Sequence, residues 1–209
     1  MTRLIDVVAE PIAARAAALD EFRSGGLVVL PTDTVYGLAV LPTSSGAVEA
    51  MFLLKGRSDS QPVAVLVADV DQARTVVEPD PTFELLATAF WPGPLTVVAT
   101  RGVGFSALLG GDQPTVGVRC PDHELVRALA AEVGPLAVTS ANLSGQRTEV
   151  NARSAAETLG GDLLVLDGGL CTGVPSTVVD VTVDPVRILR AGSIGWEALA
   201  GIGLVLGDD

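Results

Sequence analysis

The chain of 209 residues has little positive charge, one histidine and two cysteines. It carries 13 basic residues against 25 acidic ones, so its net charge is −12 and it lacks the broad basic face that attraction to nucleic acid needs. His123 is the only histidine, which excludes a metal site built from several histidines. Cys120 and Cys171 are too few for a disulfide framework or a zinc site, and we interpret both as free thiols of a cytoplasmic protein.

Long apolar runs and the common phosphate and nucleophile motifs are lacking too. No apolar run approaches the roughly 18 to 20 residues of a membrane span, so no membrane partner is expected. The first 22 residues contain early acids and no apolar block before a small-residue cleavage site, so they do not resemble a secretory signal. The chain contains no G-x-x-x-x-G-K-[ST], G-x-G-x-x-G or G-x-S-x-G segment. The sequence therefore has to bind any anionic ligand with a few local cations and backbone amides.

Apolar periodicity predicts strands and helices that mostly alternate along the chain. This order favours one α/β domain over 1–209, with a twisted, mixed parallel and antiparallel sheet and flanking helices. The ending "STVVDVTVDPVRILR" predicts an antiparallel pair. The predicted helices cover 11–24, 44–56, 69–77, 82–94, 122–133, 152–160 and 195–203. The predicted strands cover 26–31, 63–68, 95–100, 115–119, 136–140, 163–167, 176–182 and 186–192.

Three clusters of small polar residues, at 31–37, 138–145 and 173–180, are interpreted as following the ends of strands. In an α/β sheet, ligands bind beyond the strand ends, where loops present hydroxyls and amides. Each residue alone has the alternative role of a helix cap or a turn former. Three clusters in one sheet predict a shared binding site. The candidates are Thr32, Thr34, Ser140, Asn142, Ser144, Ser176 and Thr177.

Four cations are candidates for the same site. Lys55 and Arg57 flank a glycine in "LKGRSDSQP", where they either complement the negative end of a helix dipole or bind a triphosphate or carboxylate. Arg119 and Arg190 end apolar strands, which is costly without a partner, so each contacts either a ligand or an acidic side chain. No general base is evident. The site therefore suits nucleotidyl transfer, by charge stabilisation and positioning, better than hydrolysis.

Seven segments occur in an order and spacing that resemble the YrdC/Sua5 family: "PTDTVYGL", "KGR", "WPGPLT", "VGVR", "SANLSG", "STVVD" and "LRAG". The resemblance covers residues from about 10 to 200. It implies a single α/β domain with a concave active face and a nucleotidyltransferase that makes L-threonylcarbamoyladenylate and pyrophosphate from L-threonine, bicarbonate and ATP. The product would feed a downstream tRNA threonylcarbamoyl transferase complex that modifies adenosine 37 of tRNA. Direct tRNA binding is expected to be weak or indirect.

The resemblance also implies roles for individual residues. Threonine is expected to contact Thr34, Tyr36, Arg119, Ser140 and Ser176, with Thr32 shaping the same wall. ATP is expected to contact Lys55, Arg57, Gln61, Thr115, Asn142 and Arg190. The residues implied in catalysis are Lys55, Arg57, Ser140 and Asn142. Mg²⁺ would accompany the triphosphate, since it prefers hard oxygen ligands, and no protein metal ligand is expected.

The chain departs from the family pattern at a few positions. Leu66 stands where many relatives have a histidine near threonine, Ser58 replaces a proline after "KGR", and Glu149-Val150 replaces a Pro-Thr pair. The chain stops at Asp209, as in the short form of the family. Alternatives are an RNA-binding module, a regulatory paralogue without synthase activity, and a domain that transfers carbamoyl groups from carbamoyl phosphate.

The "KGR" segment yields a first prediction. Arg57→Ala should abolish ATP-dependent turnover while leaving the fold intact, because the planar guanidinium would no longer face the phosphates. Turnover and a far-ultraviolet circular dichroism spectrum check this. Near-normal turnover would remove Arg57 from the site.

Overall fold

The computed structural model describes residues 1–56, 61–111 and 113–207. Within them the chain forms seven helices and ten strands. The helices are α1 (Pro11–Arg23), α2 (Ser45–Lys55), α3 (Val70–Ala73), α4 (Pro81–Phe90), α5 (Glu124–Val133), α6 (Ala152–Leu159) and α7 (Trp196–Gly201). The strands are β1 (Arg3–Asp6), β2 (Val28–Leu30), β3 (Gly37–Val40), β4 (Ala64–Leu66), β5 (Leu95–Thr100), β6 (Thr115–Arg119), β7 (Leu136–Ser140), β8 (Leu164–Asp167), β9 (Thr177–Asp180) and β10 (Arg187–Arg190).

All ten strands form one mixed sheet in the order β1-β8-β2-β3-β7-β4-β6-β5-β9-β10. The pairs β1–β8, β2–β8, β4–β6 and β5–β9 are parallel, and the other five pairs are antiparallel. Consecutive strands along the chain are therefore often separated in the sheet. This order brings β7, β4, β6, β5 and β9 side by side, although they come from residues 64 to 180.

Helix ends follow from local side-chain chemistry. Asp80 caps α4 by accepting a hydrogen bond from the amide of Phe83 at 2.7 Å, and Asn151 caps α6 by accepting one from Ser154 at 2.8 Å. Gly56 ends α2 with φ of 57°, a left-handed conformation in which a glycine avoids the Cβ clash. Helix α4 ends at Phe90, just before the two prolines of "WPGP".

The two faces of the sheet are covered to different extents. Helices α2, α4 and α6 pack their apolar sides on one face and enclose the larger core. Helices α1 and α5 enclose a smaller core on the other face, over the half of the sheet nearest β1, β8 and β2. The remaining half of that second face stays open, and the open half is where a ligand can reach the sheet.

The architecture confirms the predicted α/β class with a mixed sheet. Strands β5, β6 and β7 have the predicted bounds, and β9 pairs with β10 in the predicted antiparallel way. The helix predicted at 69–77 is too long, because α3 ends at Ala73. Two strands were not predicted, β1 and β3. Strand β3 reads "GLAV" and is buried on both sides, so it lacks the alternation that signals a half-buried strand.

No helix among the described residues combines the length and the apolar composition needed to cross a membrane.

Gly192 allows two segments of backbone to cross closely after β10. A Cβ at this position would lie 2.3 Å from the carbonyl oxygen of Pro175 and 2.5 Å from the carbonyl carbon of Ser176. Contacts that short force the backbone to shift. We therefore expect Gly192→Ala to lower the free energy of unfolding by about 2 kcal/mol, as overpacking does in a tight core.

Urea denaturation measures this loss, and Gly201→Ala is the matched control. A Cβ at Gly201, at the end of α7, meets nothing within 4 Å. If the two substitutions have equal effects on the unfolding free energy, close packing at Gly192 is not the constraint.

Candidate functional site

The open half of the second sheet face forms a cleft of about 620 Å³. Its floor is made by residues that alternate along the strands, because successive side chains of a strand point to opposite faces. Strand β6 contributes Thr115, Gly117 and Arg119, and β5 contributes Thr96 and Val98. The segments 32–35 and 175–176 form further parts of the wall. The cleft thus draws its lining from residues far apart in the sequence.

The cleft has its volume because several of the residues that line it have small side chains or none. Gly37, Ala64 and Gly117 all line it. A Cβ on Gly37 would approach a methyl group of Val138 to 2.7 Å, so this position has to remain small for β3 and β7 to pair closely. Leu66 also lines the cleft, in register beside Arg119, and gives this part of the wall an apolar surface.

Arg119 is the buried cation of the cleft. Its Nε donates to the carbonyl oxygen of Gly93 at 3.0 Å, its Nη1 donates to the hydroxyl of Thr34 at 2.8 Å, and its Nη2 forms an ion pair with Asp33. Burial lowers the pKa of the guanidinium, and the Asp33 carboxylate opposes that shift. An arginine remains charged under such a shift. Both roles predicted for Arg119 are therefore compatible, since it has an acidic partner and still lines the cleft.

Thr32 and Thr34 shape the wall next to Arg119. The hydroxyl of Thr32 donates to the carbonyl of Val35 at 2.6 Å and accepts from the amides of Thr34 and Val35, each at 3.1 Å. Those bonds hold a tight turn directly before β3. The hydroxyl oxygens of Thr32 and Thr34 lie 3.0 Å apart. The turn therefore fixes Thr34 where it can contact both Arg119 and a ligand.

Arg190 approaches the cleft from the edge strand β10. Its Nη2 donates to the hydroxyl and to the carbonyl of Ser176, both at 3.0 Å, and its Nε donates to the same carbonyl at 3.1 Å. The Ser176 hydroxyl lies 2.8 Å from that of Thr96. Burial, and then the nearby charge of Arg119, lower the pKa of Arg190. Two guanidinium groups thus face one cleft and raise its positive potential, in a chain whose net charge is −12.

Lys55 is buried beneath the "SANLSG" loop and does not line the cleft. Its Nζ donates to the carbonyl oxygens of Ser140 and Asn142, the latter at 2.7 Å, and its own carbonyl accepts from the amide of Ser144 at 3.0 Å. The side chain of Asn142 donates to the carbonyls of Leu143 at 2.8 Å and Gln146 at 2.9 Å. Its Oδ1 is buried without a hydrogen-bond partner among the described residues. Lys55 and Asn142 therefore fix the loop that carries Ser140 into the cleft.

The predicted site residues divide into three groups. The cleft brings together Thr32, Thr34, Thr115, Arg119, Ser140, Ser176 and Arg190. The lining does not include Lys55, Tyr36, Gln61, Asn142, Ser144 and Thr177. Arg57 lies outside the described residues.

The side chain of Tyr36 belongs to the core. It is completely buried, donates its hydroxyl to the carbonyl of Gly169 at 2.7 Å and accepts from the amide of Gly168 at 3.1 Å. Burial raises the pKa of this phenol. Tyr36 was predicted to contact threonine, but its side chain is buried outside the cleft lining, where it attaches the turn of Thr34 to the end of β8.

The sequence reasoning missed Asp33 and Thr96. Asp33 lies within "PTDTVYG", and its contact with Arg119 joins residues that are 86 positions apart in the sequence. Thr96 is a polar residue in the apolar strand "LTVVAT", and its spacing of four from Thr100, which places both threonines on one face, could have signalled it. The cluster at 173–180 was also described wrongly, because Ser176 precedes β9 and does not follow a strand end. His123 is the N-terminal cap residue of α5.

Taken together, these features define an α/β protein with a cationic, hydroxyl-lined cleft on an otherwise acidic molecule. The family model for Sua5, YciO and YrdC proteins, described as "Telomere recombination", matches residues 20–192. The chain belongs to this family.

Relatives of known name agree with this assignment. A Mycobacterium tuberculosis protein is 40% identical over 190 residues, which is 89% of this chain and 87% of that protein. The threonylcarbamoyl-AMP synthase of Homo sapiens is 40% identical over 191 residues, which is 86% of this chain and 67% of the human protein.

Solved structures share the fold. Sua5 of Pyrococcus abyssi, in complex with L-threonine, is 34% identical with a TM-score of 0.90, over 99% of this chain and 63% of that one. This chain therefore spans about three fifths of the Pyrococcus protein. E. coli YciO is 24% identical with a TM-score of 0.84, over 95% of this chain and 100% of that one. A HypF structure is 22% identical with a TM-score of 0.75, over 87% of this chain and 29% of HypF. These last two likenesses concern the fold alone.

The ion pair between Asp33 and Arg119 leads to a stability prediction. Only 6% of the Arg119 side chain and 15% of the Asp33 side chain are exposed. Asp33→Ala leaves a buried charge without its partner, and we expect it to lower the free energy of unfolding by about 3 kcal/mol. Asp71→Ala is the control, because it removes one of the two carboxylate partners of Arg74, at a position that is 88% exposed. Chemical denaturation curves that coincide for the two variants would contradict the prediction.

Proposed function

We propose that this protein is an L-threonylcarbamoyladenylate synthase. It would condense L-threonine, bicarbonate and ATP into threonylcarbamoyl-AMP and pyrophosphate. The observation that carries the proposal is the convergence of Arg119 and Arg190 with several hydroxyls in one cleft. The names of the relatives and the threonine complex of Pyrococcus abyssi Sua5 support the same activity.

The arrangement of the cleft suits an amino acid next to a nucleotide. Thr34, Ser140 and Ser176 supply hydroxyls, and Arg119 supplies a fixed guanidinium for a carboxylate. Thr115 and Arg190 line the cleft as well and are proposed to face ATP. Lys55 and Asn142 would contribute by holding the loop of Ser140. The proposed ATP contacts of Arg57 and Gln61 rest on the resemblance of "KGR" and its surroundings to the family.

The reaction brings anions together, and the cleft offers positive charge for that purpose. The amine of threonine attacks the carbon of bicarbonate, and the C–O bond to the bicarbonate hydroxyl breaks with release of water, which leaves a carbamate. An oxygen of this carbamate then attacks the α-phosphorus of ATP, with pyrophosphate leaving. Fixed guanidinium groups reduce the repulsion between carbamate and phosphate and hold them in line. The ammonium of threonine has to lose a proton first, to bicarbonate or a phosphate oxygen.

Magnesium would enter the reaction with the nucleotide. The described residues contain no group of three or more His, Cys, Asp or Glu side chains that could hold a metal ion. Asp33 is the nearest carboxylate to Arg119, and it is paired with that arginine. MgATP, in which phosphate oxygens and water coordinate the ion, is the form of the substrate that fits this cleft.

The broader setting is also proposed. The whole chain, 1–209, would act as one domain in the cytoplasm, where the unbonded Cys120 and Cys171 remain reduced. Its product would pass to a downstream tRNA threonylcarbamoyl transferase complex. The net charge of −12 supports weak or indirect contact with tRNA, and the relatives favour a synthase over an RNA-binding module or an inactive paralogue.

Pyrophosphate release tests the proposal. Release should need L-threonine, bicarbonate and ATP together, and omission of any one should reduce it to background. Release that does not depend on threonine would reject the synthase.

A pair of arginine variants links the activity to the cleft. Arg190→Ala should reduce kcat/KM at least tenfold, because a charged group that contacts Ser176 is lost. Arg187→Ala is the control, since Arg187 is exposed on the same edge strand, three residues earlier. Equal losses in both variants would mean that the edge strand, and not the cleft, explains the effect.

A further inference from the structure

Thr96 and Ser176 form a buried hydroxyl pair in the cleft. Each is 5% exposed, and both line the cleft. Their hydroxyl oxygens are 2.8 Å apart because β5 and β9 run parallel, with Thr96 in register with Val178. Ser176 directly precedes β9, so the pairing of β5 with β9 holds it next to Thr96.

The two hydroxyl groups carry one hydrogen-bond donor more than the pair itself uses. Two hydroxyls carry two hydrogens, and one of these lies between the two oxygens. Arg190 donates to the Ser176 oxygen and uses one of its lone pairs. The second hydrogen has no acceptor among the described residues, although both side chains are almost completely buried. A buried donor without an acceptor is costly, so a ligand in the cleft is its natural partner.

Either hydroxyl of the pair can be the donor to the other, and a ligand held beside Arg190 selects the direction. Ser176 is in direct contact with the guanidinium, so an anion drawn to Arg190 meets Ser176 before Thr96. When Thr96 donates to Ser176, the serine oxygen accepts two bonds and its own hydrogen is left to point into the cleft. Two donors into one oxygen polarise its O–H group and make it a stronger donor.

The charge around the pair specifies the ligand. Arg119 has Asp33 as its partner, whereas Arg190 has no carboxylate within 4.0 Å among the described residues. A positive charge and an O–H donor side by side suit an oxygen that carries negative charge.

We propose that Thr96 is a positioning residue, which acts through Ser176 to aim one O–H donor, beside Arg190, at an oxyanion of the substrate. The oxyanion is either the carboxylate of the amino acid or a phosphate of the nucleotide. The proposal rests on the proposed function only for the choice of these two ligands.

Three variants test the role of Thr96. Thr96→Val removes the hydroxyl with little change of shape, Thr96→Ser keeps it, and Thr75→Val removes a hydroxyl that donates to Gln72 at 2.7 Å outside the cleft. Calorimetric titration with L-threonine and with ATP gives the two Kd values for each variant. Thr96→Val should raise the Kd of one ligand about tenfold, because the Ser176 hydroxyl no longer donates to a charged group of that ligand. The Kd of the other ligand should stay within twofold of the native value. Thr96→Ser and Thr75→Val should bind both ligands as the native protein does.

The ligand that weakens identifies the source of the oxyanion. Weaker L-threonine binding assigns the donor to the carboxylate, and weaker ATP binding assigns it to a phosphate. Equal weakening of both ligands, unchanged binding of both, or failure of Thr96→Ser to restore binding would overturn the proposal. Absence of binding of both ligands to the native protein would overturn it too.

A double-mutant cycle tests whether Thr96 acts through Ser176. In a Ser176→Ala background, Thr96→Val should change the affected Kd by less than twofold, because the group that it positions is already gone. Additive effects would overturn the proposal. A thermal unfolding midpoint for each variant separates these results from misfolding.

Turnover separates this inference from the proposed function. If the native protein binds L-threonine or ATP but releases no pyrophosphate, the synthase assignment fails and the Kd comparison still decides the role of Thr96. If the native protein is active, Thr96→Val should raise the KM of the same ligand whose Kd rises, with kcat changed by less than twofold. A loss confined to kcat would contradict a positioning role in binding.

Discussion

The buried guanidinium of Arg119 is the interaction on which the rest of the cleft depends. A charge at the end of an apolar strand needs partners, and Arg119 finds three in Asp33, Thr34 and Gly93. These partners belong to the turn before β3 and to the segment before β5. One side chain therefore joins β6 to two loops that would otherwise be connected only through the sheet, and it sets the position of the cleft wall.

The cleft exists because helices cover only half of one sheet face. Helices α1 and α5 occupy the half near β1, β8 and β2, and the other half presents strands with small or polar residues. Glycine and alanine on this floor provide volume, while threonines and serines provide donors and acceptors. Two arginines therefore lie at one cleft and favour the binding of an anion there, although the net charge of the protein repels anions.

Two side chains that were predicted to contact a ligand, Lys55 and Tyr36, lie behind the residues that line the cleft. Lys55 fixes the loop of Ser140 through two backbone carbonyls, and Tyr36 attaches the turn of Thr34 to the end of β8. The short motif "PTDTVYG" therefore combines Thr32 and Thr34, which line the cleft, with Tyr36, which holds their turn in place.

The sequence by itself determined the α/β class, the bounds of strands such as β5 and β6, and the set of polar segments near the cleft, since these follow from local periodicity and turn chemistry. It also indicated Arg119 and Arg190, because an arginine in an apolar strand needs a partner. Only the tertiary structure decided that Asp33 pairs with Arg119, that Lys55 faces backbone carbonyls, and that Thr96 meets Ser176. Those contacts join residues up to 87 positions apart, and the strand order that brings them together is set by how the whole sheet packs.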